Sequence, residues 1–194
     1  MPHPLWGILQ AVKKPKFFVT MFIKPNQTSC PIQLSEQDIA FMQYALDLAD
    51  LAEAKGEIPV GALLVDKNQQ IIGRGWNQTI QLCDPSAHAE MQAIRQAGQT
   101  LGNYRLLDCT LYVTLEPCPM CAGAILHSRI KRLVFGASDY KTGAVGSRYH
   151  LFEDYKMNHF LEVQGNVLGR ECSQKISDFF KQRRLQKKAD ALIK

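Results

Sequence analysis

His88-Ala89-Glu90, followed downstream by Pro117-Cys118-Pro119-Met120-Cys121, constrains this chain more than any other feature. One imidazole and two thiolates suit a borderline-soft divalent ion such as zinc. Three protein ligands leave the fourth tetrahedral position to water. That open position marks a catalytic metal, because structural zinc sites close all four. Glu90, two residues beyond His88, is then a carboxylate able to move protons without binding the ion. Two segments far apart in sequence must therefore meet at one point.

Local sequence indicates how they meet. Pro85-Ser86 before Met91, Ile94, Arg95 and Ala97 predicts a helix with His88 in its first turn and Gly98 at its end. The run Leu111–Leu115 reads as a strand, and Pro117 or Pro119 suits the start of the next helix, where a missing amide donor costs little. Cys118 and Cys121 share one side of that first turn. Both ligand sets lie at helix N-termini, whose partial positive charge favours thiolate. Taken singly, each motif has a plainer meaning. A lone C-x-x-C serves redox pairs or half of a zinc knuckle, and most H-x-E pairs on helices are surface residues. A closed four-ligand site would need another Cys or His at comparable spacing. Cys30, Cys83, Cys109 and Cys172 stand singly and read as free thiols, packed inside where buried.

The joint pattern is the known signature of zinc-dependent nucleobase deaminases. Further segments sharpen the likeness: Gly56-Glu57-Ile58-Pro59-Val60-Gly61-Ala62, Gly73-Arg74-Gly75-Trp76-Asn77, Asn103-Tyr104-Arg105-Leu106, Leu115-Glu116-Pro117-Cys118, Ala122–Ile125, His127–Ile130, Phe135–Ala137, Asp139–Gly143, and Phe179-Phe180 before Arg183-Arg184. From about Gln33 to about Gln186 the chain resembles the bacterial tRNA-specific adenosine deaminases, a branch of the cytidine deaminase superfamily. The resemblance implies a three-layer α/β/α fold, with a five-stranded mixed sheet and helices on both faces. It implies one zinc ion per subunit on His88, Cys118 and Cys121, with Glu90 as proton shuttle. Asn77 and the Ala89 backbone amide would hold the target base, Asp139 would meet the nucleotide sugar, and Arg183 and Arg184 would contact tRNA. Outside the resemblance, Asn77 after a strand reads first as a turn residue. Ile58, Pro59 and Val60 are expected to wall the pocket or to join the core. His127, His150 and His159 lack a metal-ligating partner at useful spacing and read as structural or surface residues.

The pass along the chain gives one alternating α/β domain. Ser35 caps a first helix, with Asp38 expected to reach back, and Ile39, Met42, Leu46 and Ala49 follow helical spacing until Gly56. Val60–Val65 and Gln70–Gly75 form a hairpin across Asp66–Gln69. The His88 helix, the 111–115 strand, the Cys118 helix and a strand at 132–135 come next. After a less regular segment to about 159, a short strand at 161–163 precedes a terminal helix from about Glu171. Two strand–helix–strand units predict parallel pairing with right-handed crossovers.

The deaminase domain is assigned to residues 33–188. Residues 189–194 are a tail, and the proline-bearing residues 1–32 are expected to form a disordered extension, with Met21 a candidate start. At 194 residues and 46% hydrophobic content, one core is affordable in size. Scattered cysteines exclude a disulfide scaffold, and a thiolate site suits a reducing compartment, so the cytoplasm is expected. No apolar run approaches the roughly 18 residues needed to span a bilayer, and no glycine-rich loop suggests a nucleotide cofactor.

Charge is uneven. Residues 1–30 carry four lysines and no acid, while residues 173–194 carry seven basic and two acidic residues within a chain of net charge +5. A basic run is usually a solvated helix end. Beside Phe179-Phe180 and a base-modifying motif, it fits an anionic polymer held by the tail.

The expected reaction is hydrolysis of adenosine to inosine at the wobble position of an arginine tRNA anticodon. An anticodon stem-loop presents unpaired bases that cost only a few kcal/mol to extrude. The family implies a homodimer. Two rivals stand: a related zinc deaminase acting on free guanine, cytosine or a nucleoside, and a non-catalytic RNA-binding zinc module, which would leave Glu90 without a purpose.

Overall fold

The computed structural model describes residues 35–154 and 159–193. The extension expected over residues 1–32, with Cys30 and Met21, lies outside them.

Helix α1 (Glu36–Ala54) begins where the Ser35 hydroxyl accepts the Asp38 amide at 3.0 Å, and Gly56 leaves it at φ 76°. The Asp38 carboxylate, expected to close the cap, turns inward. It takes both guanidinium nitrogens of Arg132 (2.7 and 2.9 Å) and the Tyr112 hydroxyl (2.8 Å). A half-buried guanidinium that bonds in a bidentate way outcompetes a solvent-edge amide for a carboxylate.

Strands β1 (Gly61–Val65) and β2 (Ile71–Trp76) form the expected antiparallel hairpin, closed by the Asp66 side chain on the amides of Asn68 and Gln70. Helix α2 (Ala89–Leu101) differs from expectation at both ends. Asp84 Oδ1 accepts the Ser86 amide (2.8 Å) and hydroxyl (2.7 Å), which makes Pro85-Ser86 a turn. His88 stays extended as the N-cap. Downstream, Gly98 lies inside the helix and Gly102, at φ 60°, ends it; the Asn103 amide returns to the Gly98 carbonyl at 3.1 Å.

Strand β3 (Thr110–Leu115), helix α3 (Pro119–His127) and strand β4 (Arg132–Ala137) form the parallel unit read from sequence. Pro119 takes the first helical position. The segment expected to be irregular contains a short helix, α4 (Leu151–Asp154). Strand β5 (Glu162–Gln164) pairs parallel with β4, and α5 runs from Gly169 to Ile193, through most of the residues assigned to a tail.

The sheet order is β2-β1-β3-β4-β5, antiparallel on either side of β1 and parallel beyond β3. Strand periodicity sends alternate residues to opposite faces. Ala62, Leu64, Leu111, Val113 and Leu133 pack with Ala89, Ala93, Ala97 and Ile125 of α2 and α3. Leu63, Val65, Tyr112 and Val134 pack on the other face with Met42, Ala45 and Leu48 of α1 and with Cys172 of α5. The result is the three-layer α/β/α fold with a five-stranded mixed sheet.

This topology also gathers one edge. Gly61 pairs with Trp76, Ala62 with Val113, and Leu115 with Ala137. The start of β1 and the ends of β2, β3 and β4 therefore lie together, which is where open α/β sheets offer a crevice. Gly75 lets α2 press close there, because a Cβ at that position would overlap the Ala89 carbonyl.

Candidate active site

The two helix starts deliver the three donors. His88 caps α2, Cys118 caps α3, and Cys121 lies within the first turn of α3. His88 Nδ1 is 3.5 Å from Cys121 Sγ and 3.7 Å from Cys118 Sγ, and all three donor atoms lie within 4.8 Å of one another. Zinc bonds of about 2.0 Å to nitrogen and about 2.3 Å to sulfur, at tetrahedral angles, require a separation of about 3.6 Å. The donor set fits zinc in both chemistry and spacing.

Protonation points the same way. The Cys118 thiol is brought down to about 4 by the hydrogen bond from Cys121, with His88 assisting against the opposing effect of burial. The Cys118 thiolate in turn raises the His88 imidazole, and hydrogen bonding to it, with burial, raises the Cys121 thiol. Two donors converge on one thiolate, an arrangement that a cation replaces.

A cavity of about 450 Å³ opens over this cluster, lined by His88, Cys118, Glu90, Asn77, Leu115 and Asp139 among others. Glu90 is 4% exposed, and burial pushes its carboxyl above the ordinary range. Ile58 and Val60 line the cavity as expected. Asn77 is 8% exposed and bound on both sides: its Nδ2 donates to the Ile58 carbonyl (3.1 Å), and its Oδ1 accepts the Ala89 amide (3.0 Å). The amide expected to face a base is thus directed at Asn77. Asp139 sits at the rim, its carboxylate accepting the Lys141 and Thr142 amides (2.9 and 3.2 Å) and the Thr142 hydroxyl (2.6 Å). Burial works against ionisation there, but these hydrogen bonds outweigh it and hold the carboxyl below its usual value.

The two arginines part company. Arg184 lines a groove beside the cavity with Lys141, Ile176, Ser177 and Phe180, while the Arg183 guanidinium lies 6.0 Å over the Phe179 ring. Of the histidines set aside, His159 bonds the Ile130 carbonyl (2.6 Å) and His127 is an exposed end of α3. Cys83 is an exposed free thiol; Cys109 and Cys172 are buried free thiols.

A model of the cytidine and deoxycytidylate deaminase zinc-binding region matches residues 35–137. A tRNA-specific adenosine deaminase of Haemophilus influenzae is 67% identical over 161 residues, which is 82% of this chain and 93% of the relative. This chain belongs to the tRNA-specific adenosine deaminase family. A second member, from Bacillus subtilis, is 47% identical over 153 residues, 79% of this chain and 94% of its own. A solved structure from work on A-to-I editing by tRNA:A34 deaminases at the wobble position of transfer RNA superposes with a TM-score of 0.67. At 43% identity it covers 70% of this chain and 98% of that one. As a member of these deaminases, the chain is a zinc-dependent hydrolase acting on carbon–nitrogen bonds.

Two buried carboxylates that hold the loops beside the site are not singled out by the sequence. Glu57, 1% exposed, accepts the Ile80 and Gln81 amides (both 2.8 Å) and the Thr79 hydroxyl (3.1 Å), holding the loop between β2 and α2. Glu116, 2% exposed, does the same for the loop after β4. The available signal was a carboxylate inside an apolar run next to a strand end (Glu57-Ile58-Pro59 and Leu115-Glu116-Pro117).

Proposed function

We propose that this chain deaminates adenosine to inosine at the wobble position of a tRNA anticodon, with an arginine tRNA as the expected substrate. The observation that carries the reading is a buried carboxyl, Glu90, at a cavity shared with His88 and Cys118. The names of the relatives support the substrate: each is a tRNA-specific adenosine deaminase, and the similar solved structure comes from wobble-position editing. The deaminase unit is assigned to residues 33–188, acting as a homodimer in the cytoplasm. Among the described residues no helix is long and apolar enough to cross a membrane.

The reaction adds water at C6 and expels ammonia, so protons must be taken from one site and delivered at two others. Zinc held by His88, Cys118 and Cys121 would supply a Lewis acid that lowers the pKa of water from about 16 toward about 7. Glu90 takes a first proton from the attacking water and gives it to the ring nitrogen beside C6, then takes the second from the new C6 hydroxyl and gives it to the departing amine, leaving the C6 carbonyl of inosine and free ammonia. Burial keeps a proton on this carboxyl more readily than on a solvated one, while a neighbouring cation favours the base form. The same group can therefore act in both directions. Asn77 presents its remaining amide hydrogen and lone pair to the purine edge, braced by Ile58 and Ala89. Asp139 faces the sugar, where a 2′-hydroxyl offsets the repulsion between a carboxylate and phosphates. Arg183 and Arg184 hold the RNA backbone from α5.

The test is incubation of zinc-loaded protein with an anticodon stem-loop and, separately, with free adenosine, guanine and cytosine. Inosine formed in the stem-loop supports the reading. Turnover of only the free compounds assigns the chain to small-molecule deamination and overturns it.

A further inference from the structure

Glu116 organises one wall of the cavity. Its Oε1 accepts three successive amides, Val145 (3.0 Å), Gly146 (2.9 Å) and Ser147 (3.0 Å), and its Oε2 accepts the Asp139 amide (3.0 Å). Consecutive N–H groups aimed at one oxygen form an anion-binding concavity, and here the anion is the protein's own side chain. Bonds to an ionised acceptor are the strong ones.

The loop so held supplies Ser138, Asp139, Tyr140, Lys141 and Thr142 to the cavity. Two further bonds join it to the same short stretch of chain. The Ala144 amide donates to the Pro117 carbonyl (2.8 Å), and the Glu116 amide donates to the Ala137 carbonyl (2.8 Å). Gly143 packs between the carboxyl and the loop backbone: a Cβ there would lie 2.5 Å from Cδ and Oε2 of Glu116 and from the Asp139 carbonyl oxygen. Residues 115–118 thus carry a cavity wall, a loop anchor and a metal donor in immediate succession.

We propose that Glu116 is a positioning residue for deamination, whose carboxylate fixes the loop bearing Asp139 at a set distance from the metal-donor segment. The proposal rests on the RNA-deaminase reading for its substrate, but the anchor itself can be read without it. A carboxylate that only filled the interior would affect folding and metal retention. An anchor for the substrate wall acts on the loop and on substrate binding.

The experiment uses the full chain, zinc-loaded, with Glu116→Gln. An amide keeps the shape but presents an NH₂ to one of the two sets of donors, so part of the anchor is lost. Gly143→Ala is the second variant: it leaves Glu116 in place, and its Cβ meets both the carboxyl and the Asp139 carbonyl, so the loop must shift where it is anchored. Hydrogen exchange over residues 138–147 and steady-state inosine formation in an anticodon stem-loop are compared with the parent. The expected result, in both variants, is exchange in the loop faster by about 10-fold, with KM raised by about 10-fold. The kcat should stay within about 3-fold and zinc at the parental level. Unchanged loop exchange in both variants overturns the anchor. Faster exchange with unchanged KM overturns its role in positioning, and loss of zinc with faster exchange throughout the domain makes Glu116 a structural residue only. A parent enzyme inactive on the stem-loop sinks the substrate reading instead, and loop exchange then decides the anchor alone.

Discussion

Among the described residues, buried carboxyl groups are put to three different uses, and environment assigns each. Glu90 faces the cavity, and burial raises its affinity for a proton more than the charge of His88 lowers it. Replacing it with Gln removes the shuttle and leaves the three metal donors in place. Deamination is expected to fall by at least roughly 10²- to 10⁴-fold, with zinc content by metal analysis unchanged; parental turnover in a zinc-replete variant would remove Glu90 from the mechanism. Asp38 has the opposite surroundings. The Arg132 guanidinium is the main cause holding its carboxyl low, assisted by the Tyr112 hydroxyl and opposed by burial. Because the folded state binds this proton more weakly than the unfolded chain does, Asp38 contributes its full stability above about pH 4. That contribution is lost as pH falls through its depressed folded value. Asp38→Asn should cost about 3 kcal/mol in urea unfolding at neutral pH, and its deficit against the parent should shrink as the medium is acidified below about pH 4. A deficit independent of pH would contradict the assignment. Glu116 shows the third use, a carboxylate satisfied by backbone amides.

Close packing of elements sets the metal site. His88 and Cys118 are both caps, so the positions of their side chains follow those of whole helices. Helix α2 lies against β2 at Gly73 and Gly75, where any side chain would meet the Ala93 or Ala89 carbonyl. Gly75→Ala must push the start of α2 outward and carry His88 away from the two sulfurs. A destabilisation of about 1–3 kcal/mol is expected by thermal unfolding, together with a lower zinc affinity in a chelator competition. Retention of parental zinc affinity would mean that the α2 start is not held by this contact. Loop elements follow a related rule: those flanking the cavity are tied by buried side chains, Glu57 on one side and Glu116 on the other, in place of ladder hydrogen bonds.

For the molecule as a whole, charge and shape divide the work. The basic residues of α5 lie on one long helix, whose Phe180 and Arg184 border the groove beside the cavity. Arg184→Ala is expected to weaken RNA binding about equally across loop sequences, and to reduce the slope of log affinity against log salt by about 0.7 to 1. Arg183→Ala, whose guanidinium already lies over Phe179, should do less; equal effects in a salt titration would show that the groove does not single out Arg184.

Much of this could be read from the chain: the alternating elements, the strand periods, the metal donors and the placing of Glu90 beside them. Each is a local pattern, set by spacing, side-chain chemistry and helix-start residues within a few positions. Other features depended on partners distant in sequence. The α2 start moved to Ala89 because Asp84 turned the chain at Ser86, the Asp38 carboxylate found Arg132, and the Ala89 amide found Asn77. The carboxylates of Glu57 and Glu116 became anchors only once folding brought the amides of later loops onto them. Hydrogen-bond satisfaction in a buried site is a property of assembled surroundings, and no window of residues contains it.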